Sequence, residues 1–89
     1  MARVVVYTTR SCPFCVRAKR LLEARRIVYE EIDVGDDAAL RDDLIRRTGR
    51  RTVPQIFIDG DPIGGFDELA ALDASTRLTD LVEDGDDVA

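Results

Sequence analysis

At 89 residues, with 45% hydrophobic and 35% charged side chains, the chain suits one folded domain over residues 1–89 rather than a disordered polypeptide. A formal net charge of −5 excludes the basic surface that non-specific nucleic-acid binding needs, and no apolar run approaches the ~20 residues that span a bilayer. The start "MARVVVYTT" has one Arg and too short an apolar run for a signal peptide, so the expectation is a cytoplasmic protein in a reducing compartment, without membrane or nucleic-acid partners.

"RVVVYT" (residues 3–8) is short, β-branched and aromatic, the composition of a buried strand. From Pro13 onward, Phe14, Val16, Ala18, Leu21, Leu22 and Ala24 lie among Arg17, Lys19, Arg20 and Glu23, which predicts an amphipathic helix ending near Arg26. "IVYEEIDV" alternates Val28, Glu30 and Ile32 as a second strand. "DDAALRDDLIRRTG" opens on Asp36 or Asp37 as an N-cap and closes on Gly49 as a C-cap, a second helix. "QIFID" follows as a third strand, "GDP" as a turn and "IGG" as a short fourth strand. Asp67 or Asp73 then begin the terminal helices "ELAALDA" and "STRLTDLVED", and the acidic tail from about residue 83 to 89 reads as a frayed, solvated end. A helix crossing between the first two strands makes them parallel, while a turn lets the last two pair directly. The β-α-β-α-β-β-α order predicts an α/β fold, a mixed four-stranded sheet with helices on both faces, and resembles the thioredoxin arrangement.

That order puts both cysteines, Cys12 and Cys15 of "RSCPFCVRAKRLL", where the first strand feeds the first helix. Structural zinc takes four Cys or His ligands, and two Cys with no His cannot supply them from one chain. A disulfide closing so small a loop would stabilise the fold by only ~2 kcal/mol on the chain-entropy model. An iron–sulfur cluster shared between two chains and a reversible redox couple both stay open. The helix start favours the couple. Unpaired amides and about half a positive charge stabilise a thiolate at Cys12, and Pro13 sits in the first turn, where its missing N–H costs nothing. Such a site brings a cysteine from about 8.5 into a range of roughly 3.5–7.5, and Arg10, Arg17 and, less directly, Lys19 would add to the effect. Cys15, one turn on, is the more buried sulfur, so Cys12 attacks and Cys15 resolves.

"CPFC" after the "VVVYTT" strand, "TVPQIFIDG" at 52–60 and "IGGFDEL" at 63–69 together resemble a dithiol glutaredoxin of the bacterial glutaredoxin 3 type over nearly the whole chain. The resemblance implies a monomeric glutathione-dependent thiol–disulfide oxidoreductase that uses glutathione as reductant and co-substrate and needs no metal. Its expected clients are glutathionylated proteins and protein disulfides, with ribonucleotide reductase among the candidates.

The same resemblance implies a glutathione groove. Thr52, Val53 and Pro54 would form one wall, with a cis bond before Pro54 that turns the Val53 backbone toward Cys12 to pair with the cysteinyl part of the tripeptide. Gly64 and Gly65 would permit close backbone approach, and the N-terminus of the helix that follows them would offer amides to the γ-glutamyl carboxylate. Asp67 or Glu68 would hold the ammonium, Asp67 being equally suited to a plain N-cap. The glycyl carboxylate needs a cation, for which Arg46, Arg50 and Arg51 are candidates. Three departures from the family pattern stand out. Thr9 replaces the usual Lys three residues before the first cysteine, with Arg10 beside it as a substitute. Phe14 keeps the ring of the usual Tyr without its hydroxyl, and Phe66 stands where close relatives often carry a third cysteine. Two alternatives remain: a donor reduced by thioredoxin reductase, and a dimeric iron–sulfur carrier, for which a Gly-containing C-G-F-S is the commoner sequence.

Overall fold

The computed structural model describes residues 2–84. Its elements run β1 (Val4–Thr8), α1 (Pro13–Ala24), β2 (Glu30–Asp33), α2 (Ala38–Thr48), β3 (Gln55–Ile58), β4 (Asp61–Gly64), α3 (Phe66–Ala74) and α4 (Arg77–Asp84). The strands form one sheet in the order β2-β1-β3-β4. β1 is parallel to β2, with Val5 opposite Glu30, and antiparallel to β3, with Val5 also opposite Phe57; β3 and β4 are antiparallel. This is the thioredoxin-like fold.

β1 is apolar at nearly every position because both of its faces are covered. Val4 and Val6 point with Ile56 and Ile58 of β3 into a core closed by Ala18 and Leu22 of α1, Leu69 of α3, and Leu78 and Val82 of α4. Val5, Tyr7 and Phe57 point the other way, against Val34 and Leu44 of α2. The two-residue period of a strand thus sorts one continuous run into two cores. Three helices cover one face and α2 the other.

Four boundaries differ from the sequence expectation, each for a local reason. The second strand begins at Glu30 rather than Ile27, because α1 ends in a Schellman motif: Arg26 adopts φ 57°, its N–H donates to Glu23 O, and Ile27 N–H reaches back to Leu22 O at 2.9 Å. Ile27 is buried against α1, while Val28 lies outside the sheet and is 80% exposed. The turn between the last two strands is Asp59–Gly60, both at positive φ as a two-residue hairpin requires, so Asp61 and Pro62 belong to edge strand β4. α3 starts at Phe66 with Gly65 as its N-cap, not at Asp67. Asp73 starts no helix; it lies in α3 and accepts from Arg25 at the end of α1, at 2.6 and 2.8 Å, and α4 begins at Arg77 after Ser75 and Thr76 close α3. Asp37 caps α2 through Leu40 N–H, and Gly49, at φ 72°, ends it. Of the acidic tail, residues 83 and 84 belong to α4, and residues 85–89 lie outside the described residues.

Candidate active site

β1 delivers the chain to Cys12, whose extended backbone makes it the N-cap of α1, with Pro13 as the first helical residue. The Cys15 N–H donates to Cys12 Sγ at 3.1 Å. A sulfur therefore does the work that Ser or Asp does at an ordinary cap, and an amide of the helix start points at it. Cys12 is half-buried, whereas Cys15 is 1% exposed. Their Cα atoms are 5.1 Å apart and their sulfurs lie within disulfide contact. One sulfur faces the surface, and its partner waits beneath it.

Across from Cys12 stands the loop between α2 and β3. The Val53–Pro54 peptide bond is cis, and the Val53 carbonyl oxygen lies 3.6 Å from Cys12 Sγ. Behind it, the buried Gln55 amide donates to Thr52 O at 2.9 Å.

This loop and the start of α3 border a groove of about 210 Å³ lined by Thr52, Val53, Pro54, Arg50, Phe14 and residues 65–68. Phe14 and Phe66 face each other with ring centres 6.1 Å apart, and the Arg17 guanidinium sits 5.2 Å from the Phe14 ring centre. The two glycines let the walls approach. A Cβ on Gly65 would come 3.3 Å from Pro54 O, and one on Gly64, at φ 121°, would lie 2.8 Å from Glu68 Cγ.

One carboxylate ties the groove together. Glu68 Oε1 accepts from Gly65 N–H at 2.6 Å and from Arg50 Nη1 at 2.8 Å. The Arg50 hydrogen bond, seconded by the Gly65 amide, holds the Glu68 carboxyl below its usual range.

The structure separates the candidate cations. Arg50 lines the groove. Arg46 turns along α2 to Asp43 at 3.2 Å, and Arg51 is exposed. Arg10 points to Asp33 and Asp36, at 3.9 and 3.5 Å, and Lys19 pairs with Glu31 at 3.0 Å. Both therefore have carboxylate partners of their own. Arg47, which sequence reasoning did not single out, packs its guanidinium 4.4 Å from the Phe57 ring centre and donates to Tyr7 Oη at 3.2 Å. Sequence reasoning also missed the Glu68–Arg50 pair. The Gly65-x-x-Glu68 spacing is half of a capping-box pattern and signals the first contact, but nothing local signals Arg50. Among the described residues no helix is long and apolar enough to cross a membrane, and no group of three or more His, Cys, Asp or Glu is placed to hold a metal ion.

Comparison with known proteins agrees with this geometry. The glutaredoxin family model matches residues 4–63. The chain is 48% identical over 83 residues to glutaredoxin 3 of Escherichia coli K12, covering 93% of this chain and all of that protein. Among solved structures, the holo form of glutaredoxin C1 from Populus tremula x tremuloides superposes with a TM-score of 0.90 at 34% identity, over 99% of this chain and 82% of that one. A buckwheat glutaredoxin–glutathione complex superposes with a TM-score of 0.88 at 28% identity, over 99% and 83%. With a Cys-Pro-Phe-Cys pair at the start of α1, the chain belongs to the glutaredoxin family of thiol–disulfide oxidoreductases.

Proposed function

We propose that this protein is a glutathione-dependent oxidoreductase of the cytoplasm that reduces protein–glutathione mixed disulfides and protein disulfides. The observation that carries the reading is the position of Cys12 Sγ: it caps a helix and lies 3.6 Å from Val53 O, the wall of a groove that also holds Arg50 and the Gly65 amide. A tripeptide with two carboxylates and one ammonium suits that set of groups. Val53 offers strand-like main-chain pairing to its cysteinyl residue, Arg50 and the start of α3 offer donors to carboxylate, and Asp67 offers a partner to the ammonium. Phe14 and Phe66 supply apolar contact. The structural likeness to a glutaredoxin–glutathione complex supports the same ligand.

The chemistry proceeds by thiolate attack. Cys12 attacks the glutathionyl sulfur of a mixed disulfide, the old S–S bond breaks, and the client leaves as a thiolate that takes a proton from solvent. Cys12 then carries glutathione. A second glutathione thiolate attacks the bound glutathionyl sulfur, forming glutathione disulfide and regenerating the Cys12 thiolate. With a protein disulfide, Cys12 forms a mixed disulfide with the client. Cys15 then attacks Cys12 Sγ, so the dithiol gives two electrons to the client and is left as the Cys12–Cys15 bridge. Two glutathiones reduce that bridge. Ribonucleotide reductase is a candidate client of this second route.

A glutathione-coupled assay on a glutathionylated peptide tests the proposal. Cys12→Ser is expected to abolish turnover, and Cys15→Ser to retain it while losing the reduction of protein disulfides. An inactive Cys15→Ser enzyme would overturn the division of roles, and turnover supported by thioredoxin reductase but not by glutathione would overturn the choice of reductant.

A further inference from the structure

We infer that Glu68 is a built-in competitor for the glutathione groove: its carboxylate occupies Arg50, the cation the groove offers to a ligand carboxylate, together with the adjoining Gly65 N–H, and must release Arg50 before the ligand is fully held. The inference rests on the glutathione reading above and adds a residue that sets affinity from within the chain.

Three observations converge on it. Both donors meet the same oxygen, Glu68 Oε1, at 2.6 and 2.8 Å, and all three residues line the groove. The fold makes room for this arrangement, because a side chain on Gly64 would run into Glu68 Cγ at 2.8 Å. The contact is also replaceable. The Arg50 and Glu68 side chains are 46% and 43% exposed, so solvent screens the pair and water reaches both partners. Glu68 is an acceptor with its own charge already paired, which distinguishes it from Asp67, an exposed carboxylate at the groove with no shared role in capping. If Glu68 served as the ammonium partner of the ligand, removing its charge would weaken binding. If it competes, the same change strengthens binding.

Opposite signs make a clean test. Steady-state kinetics with a glutathionylated peptide are to be measured on the native protein, Glu68→Gln, Arg50→Met and the double variant. Gln keeps an acceptor for the Gly65 amide but ends the ion pair. The competitor account expects KM to fall by roughly 1.4- to fivefold in Glu68→Gln, the range spanned by exposed ion pairs, with kcat unchanged. It expects Arg50→Met to raise KM, and the gain from Glu68→Gln to shrink when Arg50 is absent. A purely structural Glu68 would lower the unfolding temperature and leave KM alone. An unchanged or raised KM in Glu68→Gln, with the native enzyme saturating normally, overturns the competitor and leaves the glutathione groove standing. Failure of the native protein to saturate with the glutathionylated peptide at all overturns the groove reading, and the competitor with it.

Discussion

Gly60 and Gly64 provide a paired experiment on how the groove is built. Both have positive φ, 84° and 121°, but a Cβ on Gly60 would meet nothing within 4 Å, whereas on Gly64 it would meet Glu68. Gly60→Ala therefore bears only the left-handed backbone cost of about 1–2 kcal/mol, partly offset by about 0.4–1 kcal/mol from a less flexible unfolded chain. Its net loss is roughly 1 kcal/mol. Gly64→Ala enters a region that L-residues rarely adopt, at a cost of order 1–3 kcal/mol, and pushes Glu68 off the Gly65 amide, a hydrogen bond worth about 1 kcal/mol. Its net loss is about 2–3 kcal/mol. For a domain of this size, each kcal/mol moves the unfolding midpoint by roughly 4–8 °C. Thermal unfolding followed by circular dichroism, with the cysteines kept reduced, should show Gly64→Ala melting on the order of 10 °C below Gly60→Ala. Equal melting temperatures for the two variants would refute the close packing of Glu68 under Gly64.

Other consequences follow from the ionisable groups. The Arg25 hydrogen bond, with the charge of its guanidinium, holds Asp73 below the usual Asp range. A depressed carboxyl stabilises the fold above its unfolded pKa of about 3.9 and loses that contribution as pH falls through the lower folded value. The stability gap between the native protein and Arg25→Met should thus be full at neutral pH and close in acid, and a gap independent of pH in urea titrations would contradict it. Tyr29 runs the other way: burial, helped by the 2.6 Å hydrogen bond from its hydroxyl to Glu23, pushes its phenol up to about 12. Its stabilisation is complete below about 10 and is lost as pH rises through the folded value. Ultraviolet titration of the phenolate should find Tyr29 ionising late, and earlier in Glu23→Gln. A Tyr29 that titrates like free tyrosine would contradict the burial. Leu22 is fully buried between α1 and the sheet, so Leu22→Ala should lower stability by about 2–5 kcal/mol, and a loss below about 1 kcal/mol in denaturant unfolding would place it outside the core.

The helix start at Cys12 and Pro13, the four strands and the capping of α2 by Asp37 and Gly49 were legible because each is written within a few neighbouring residues. The elements that moved did so where one local signal competed with another. The β-branched pattern of "IVYEEIDV" reads as strand from its first residue, yet Arg26 takes the left-handed conformation usually left to Gly and delays the strand by a turn of chain. Asp67 looks like an N-cap until Glu68 reaches back to Gly65 and moves the helix start forward. The site was legible in kind but not in wiring. Arg46, Arg50 and Arg51 were equivalent in sequence. Their separation depends on Asp43 beside Arg46 and on Glu68, eighteen residues from Arg50, meeting it across the groove. Arg10 and Lys19 were read as neighbours that would favour the Cys12 thiolate, and their pairing with Asp33, Asp36 and Glu31 depends on how β1, α1 and β2 are brought together rather than on local sequence.

Those pairings sharpen the central claim because, of the sources of positive potential expected at the attacking sulfur, they leave the helix start and Arg17, whose guanidinium sits over the Phe14 ring. The direct measurement is the ultraviolet thiolate titration of reduced Cys15→Ser protein, in which Cys12 is the single thiol. The sulfur should ionise well below the ordinary cysteine value of about 8.5, and Arg10→Met and Lys19→Met should leave its midpoint nearly unmoved. A midpoint at or above that of free cysteine would contradict the account, and so would a low midpoint that vanishes with Arg10.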